Sequence, residues 1–126
     1  MQRHEGTFRT GDGLALFRQA WTPDGQPRAI CLIVHGFGEH SGRHVWHAER
    51  LANRGYAVHG FDLRGHGRSS GSRVYVHRFD QYVDDLALFC AQVRSEMPGR
   101  PLFVFGHSMG GEIAAFWAID RQPEVT

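Results

Sequence analysis

"LFVFGHSMGGEIAAF", residues 102–116, sets one serine, Ser108, between a run of strand-forming residues and a run of helix-forming ones, with Gly106, Gly110 and Gly111 around it. A chain that passes from strand to helix within two residues must turn sharply. The residue at the corner takes a strained backbone conformation, and glycines at 106 and 110 remove the Cβ atoms that would collide across it. Such a corner holds the Ser108 Oγ out at the carboxyl end of the strand, where free N–H groups and the helix dipole favour an oxyanion. The GxSxG spacing alone is weak in a chain with 16 glycines, and "GRSSG", residues 67–71, fits it too, around Ser69. No strand leads directly into Ser69, because the β-run closes at Asp62 and a glycine loop intervenes. Ser69 therefore reads as loop chemistry, and Ser108 as the candidate nucleophile.

A second loop supports this reading. Ala29 to Val34 is a continuous apolar run, suited to a strand buried on both faces of a parallel sheet, and His35, Gly36, Phe37 and Gly38 follow it. Acyl transfer needs two N–H donors aimed at the developing oxyanion. Met109 N–H, after the serine, is one candidate, and Phe37 N–H is the other. In a doubly wound sheet the strands ending at Val34 and Phe105 are neighbours, so both loops meet at one carboxyl edge, the usual ligand site of such sheets.

The remaining segments fit the same architecture. "GTFRTGDGLALFRQAW", residues 6–21, reads as two strands about an Asp-Gly turn. Residues 43–54 have helical spacing and stop at Gly55, and "YAVHGFD" is a further strand. Phe79, Tyr82, Val83, Leu86, Phe89, Cys90, Val93 and Met97 share one helical face, ended by Pro98 and Gly99. "PLFVFG" reads as a third buried strand, and a helix opens at Met109. Strands alternating with helices predict an α/β class: a doubly wound, mainly parallel sheet preceded by an antiparallel hairpin.

With 126 residues, 41% of them hydrophobic, the chain has the composition of a globular domain. A net charge of +1 with both signs scattered argues against nucleic acid as a partner. Cys31 and Cys90 have no CxxC spacing and read as buried free thiols in a reducing, cytoplasmic setting. The N-terminus has no apolar signal core, and no apolar run is long enough to span a bilayer. All 14 basic residues are arginine, so a Ser-Lys dyad is excluded.

"HGFGEHSGRH", "DLRGHGRSSG", "YVDDL" and "LFVFGHSMGGEIA" together resemble the monoacylglycerol lipase and lysophospholipase group of α/β-hydrolases, from about Thr7 to Gln122. The resemblance implies Ser108 as nucleophile, Phe37 and Met109 as oxyanion-hole donors, and an ester of a single acyl chain cleaved through an acyl-enzyme. No cofactor and no metal is expected. The family orders its triad Ser, acid, His, which places the acid and the histidine beyond Thr126, along with a substrate-selecting cap. Residues 1–126 are then the N-terminal part of one α/β-hydrolase domain, with the C-terminal half as its partner. Any transient membrane or micelle contact would run through the cap. Two departures stand out: Phe37 is larger than the small residue some members carry there, and Val74 stands where the pattern often has glycine. Peptidase, thioesterase and acyltransferase activities share the same front end. A non-catalytic binding protein that keeps the first half of the fold is the alternative from another class.

The other polar residues have structural readings beside functional ones. His107 precedes the nucleophile and should point away from Oγ, as packing or hydrogen-bonded support. His35 reads as a support of the oxyanion loop rather than a base. His40, His44 and His47 are spaced like metal ligands, yet the sequence suggests no carboxylate or fourth ligand beside them, so they read as loop and helix-surface histidines. Asp84 and Asp85 are a solvated edge or arginine partners. Asp62 and Arg64 organise turns of their loop. Glu39, His40 and Arg43 either touch a polar head group or cap the following helix. Trp21, Trp46 and Trp117 read as packing.

Overall fold

The computed structural model describes residues 1–123. In chain order the elements are β1 (Gln2–Arg9), β2 (Ala15–Thr22), β3 (Ala29–Val34), a 3-10 turn (Ser41–His44), α1 (Val45–Ala52), β4 (Tyr56–Phe61), α2 (Phe79–Glu96), β5 (Leu102–Gly106) and α3 (Met109–Arg121). Among the described residues one sheet forms, in the order β1-β2-β4-β3-β5. β1, β2 and β4 pair antiparallel, while β3 pairs parallel with both β4 and β5.

The β1–β2 turn is set by Thr10, whose Oγ1 donates to Asp12 Oδ1 and accepts from Leu14 N–H, with Gly13 at a positive φ of 93°. β3 is the centre of the sheet, and its alternation divides the core. Ile30, Leu32 and Val34 face α2 and α3, packing with Phe61, Leu86, Phe89 and Trp117. Cys31 and Ile33 face the other way, against Ala48 and Ala52 of α1. Both faces of β3 are covered, which is why its sequence is apolar without a break. Each large apolar side chain buried in these clusters contributes roughly 1.5–3 kcal/mol.

Two sequence expectations need correction. The helix expected over residues 43–54 begins instead as the 3-10 turn and is α-helical only over Val45–Ala52. β5 is not a fully buried strand: it lies at the edge of the sheet, with Leu102 buried and Phe103 and Phe105 each 44% exposed. Its apolar sequence matches that of β3, but among the described residues β3 is its one strand neighbour. Cys31 and Cys90 are buried free thiols, and among the described residues no helix is long and apolar enough to cross a membrane.

Candidate active site

Ser108 sits at the corner between β5 and α3 with φ 56° and ψ −120°, a conformation that side chains rarely adopt. Sterics explain the surrounding glycines. A Cβ at Gly106 would lie 2.6 Å from Gly110 O and 2.7 Å from the Gly111 Cα, and one at Gly110 would run into the carbonyl oxygens of Val34 and His35. A Cβ at Gly111 would stand 3.3 Å from Gly106 O. The elbow is tied to β3 by His107 N–H donating to Val34 O at 3.0 Å. Ser108 is exposed, and its hydroxyl has no hydrogen-bond partner among the described residues.

The loop after β3 lies against this corner. A Cβ at Gly36 would be 3.1 Å from Ser108 Cβ, so the glycine permits the close approach, and Gly38 turns the loop at φ 74°. Phe37, 61% exposed, rests edge-on against the His66 ring at 5.8 Å. Met109 begins α3, and its N–H is one of the first-turn donors that have no intrahelical acceptor. His35 is fully buried: its Nδ1–H donates to Gly36 O at 2.7 Å and its Nε2 accepts Leu63 N–H at 2.9 Å. Burial holds its pKa down at about 4. With its one lone pair engaged by Leu63, this imidazole braces the loop and has none to offer a serine.

The loop after β4 is organised by Asp62. Its Oδ1 accepts Ser41 N–H at 2.7 Å and Ser41 Oγ–H at 2.6 Å, and its Oδ2 accepts Arg68 N–H at 2.9 Å. Ser69 is buried, donating to Asp62 O and accepting Phe17 N–H, which accounts for its hydroxyl without catalysis. Arg64 forks onto both Asp85 oxygens, at 2.7 and 2.9 Å, and onto both Asp12 oxygens, at 2.9 and 3.1 Å. The Arg64 guanidinium holds the Asp12 carboxyl down at about 2. Asp85 is thus a buried arginine partner, while Asp84 pairs with Arg121 at 2.5 Å. Val74, at the position where the pattern favours glycine, has φ 55°, a strained setting for a β-branched residue.

Glu39 does not cap the following turn, which has no side-chain cap. It bridges His44 and His107 instead, at 2.6 and 2.8 Å, and this contact holds the His107 ring. Desolvation opposes the charge of Glu39, but the hydrogen bonds from His107 and His44 outweigh it, and its pKa is lowered. His44 is buried at 6% exposure, not a surface histidine; His40 and His47 are exposed. Sequence reasoning missed both this bridge and the Arg64 network, because each joins residues from separate elements. Trp21 and Trp117 are in the core, and Trp46 is exposed beneath the Arg50 guanidinium.

A sharp strand–serine–helix corner beside a glycine loop, on a sheet of this order, defines the α/β-hydrolase class. Solved structures share this fold, two of them as follows. A thermostable carboxyl esterase from Bacillus coagulans in complex with glycerol superposes with a TM-score of 0.89 at 29% identity, covering 99% of this chain and 42% of that one. A soluble variant of monoglyceride lipase from Saccharomyces cerevisiae in complex with a substrate analogue gives 0.85 at 30% identity, covering 95% and 40%. The profile of the hydrolase family described as serine aminopeptidase, S33 matches residues 25–126, and the chain belongs to that family. Its curated relatives include the human monoglyceride lipase, 41% identical over 87% of this chain and 36% of that protein. The monoacylglycerol lipase of Mycolicibacterium smegmatis is 38% identical over 88% of this chain and 40% of its own length. The chain thus spans about two fifths of the length of these relatives.

Proposed function

We propose that Ser108 is the nucleophile of a serine hydrolase that cleaves carboxylic esters of single-acyl-chain lipids, monoacylglycerol or lysophospholipid. The observation that carries this reading is the strained, exposed Ser108 with the Gly36 loop packed at its Cβ. A binding protein gains nothing from that strain, whereas a nucleophile does. Ser108 Oγ attacks the ester carbonyl and its proton passes to a base. The oxyanion takes hydrogen bonds from Phe37 N–H and Met109 N–H, the alcohol departs, and water resolves the acyl-enzyme. The exposed Phe37 ring offers apolar surface for an acyl chain beside the serine.

His35 and His107 are engaged by Leu63 N–H at Nε2 and by Glu39 at Nδ1 respectively. Following the Ser, acid, His order of the family this chain resembles, we assign the triad acid and histidine, and the cap, to chain beyond Thr126. Relatives named as lipases favour the ester reading; the family description, which names an aminopeptidase, favours peptide cleavage as the second reading.

The test is hydrolysis of monoacylglycerol, lysophospholipid and aminoacyl-peptide substrates by the full-length protein carrying these residues. Ser108→Ala lowers turnover by about four orders of magnitude or more, and Ser69→Ala, if folded, leaves it. Wild-type activity in Ser108→Ala refutes the nucleophile assignment. Preference for the peptides moves the reading to a peptidase.

A further inference from the structure

Glu39 lies between two imidazoles, with Oε1 2.6 Å from His44 Nε2 and Oε2 2.8 Å from His107 Nδ1. Ligand-capable atoms of the three residues all lie within 4.8 Å of one another. Glu39 comes from the loop after β3, His44 from the 3-10 turn and His107 from the elbow, so the parallel pairing of β3 with β5 brings them together. Hydrogen bonding to Glu39 leaves His44 unbalanced: its Nδ1 is buried with no partner among the described residues.

We propose that Glu39, His44 and His107 form a binding site for a divalent transition ion of the Zn2+ type. Two imidazole nitrogens and one carboxylate suit zinc, whereas Mg2+ and Ca2+ take sets built of oxygen. Bonds of about 2.0–2.2 Å to a tetrahedral ion set ligand atoms about 3.3 Å apart, within the observed spread of 4.8 Å. The two N···O separations open by about 0.5–0.7 Å to admit it. The His107 side chain is 55% exposed and free to swing, while the Glu39 side chain, 14% exposed, keeps its charge largely out of water. As a ligand His44 presents its Nε2 lone pair with its proton on Nδ1, and the hydrogen bond from Nε2 to Glu39 gives way to the bonds that both atoms make to the ion. A water fills the fourth position, or His47, whose ring is 6.0 Å from that of His44. An ion bound here ties the Phe37 loop to the residue before Ser108.

The inference stands on this cluster and is independent of the esterase reading, so its test reads metal binding. Zn2+ is titrated calorimetrically into the 126-residue protein, and Co2+ is followed by its visible absorption bands. One saturable equivalent is expected, with imidazole-ligand Co2+ bands. His107→Asn, on an exposed ring, weakens binding by about tenfold or more, since loss of even an outer-shell partner has that effect. Glu39→Gln does the same, and exposed His77→Asn leaves binding unchanged. Absence of saturable binding in the wild type, or unchanged affinity in His107→Asn, overturns the proposal.

Discussion

Lowering the pH from 7 to 5 should remove about 4 kcal/mol of folding stability through two buried histidines. His35 is fully buried and His59 is 4% exposed. Burial is the main cause that brings each to about 4 from the ordinary 6.5, with the Arg18 cation adding to it at His59. The folded rings refuse protons that the unfolded chain accepts, so stability falls as pH drops from 6.5 to 4 and this contribution levels off below 4. At pH 5 the unfolded rings are almost fully protonated and the folded ones about one-tenth, so each histidine accounts for about 2 kcal/mol. That loss is large beside a typical domain stability of about 5–15 kcal/mol. Protonation of His35 also sets an N–H against the Leu63 N–H it now accepts, which loosens the Phe37 loop. Urea denaturation followed by the buried Trp21 and Trp117 at several pH values measures the effect. His59→Leu, which removes the orphaned Nε2, should halve the pH dependence. A urea midpoint that stays constant between pH 7 and 5, or a His59→Leu variant with the full dependence, would refute the reasoning.

Val74→Gly should stabilise the protein by about 0.5–1 kcal/mol, the relief of left-handed strain less the added freedom of the unfolded chain; a lower thermal midpoint contradicts this. β5, the outermost strand among the described residues, with Phe103 and Phe105 half-exposed and no lysine to guard it, should make the 126-residue protein self-associate at low micromolar concentration. Sedimentation velocity should show oligomers that Phe103→Lys shifts toward monomer. A sharp wild-type monomer contradicts that expectation.

Much of the fold is a local property of the chain. The apolar run of β3, the helical face from Phe79 to Val93 and the glycines about Ser108 each encode their element through short-range sterics and burial. The same local rule separated Ser108 from Ser69, since only one of them follows a strand directly. Three things lay beyond it. β5 carries the apolar composition of a central strand, and only the pairing order makes it the outermost strand among the described residues. Glu39, His44 and His107 come from three elements that meet because β3 and β5 are neighbours. Asp12, Arg64 and Asp85 join a hairpin turn, a loop and a helix. Sequence periodicity reports which face of an element is apolar; it carries no information about which charged ends the sheet order brings within hydrogen-bonding distance, and that is where the structure alone decides.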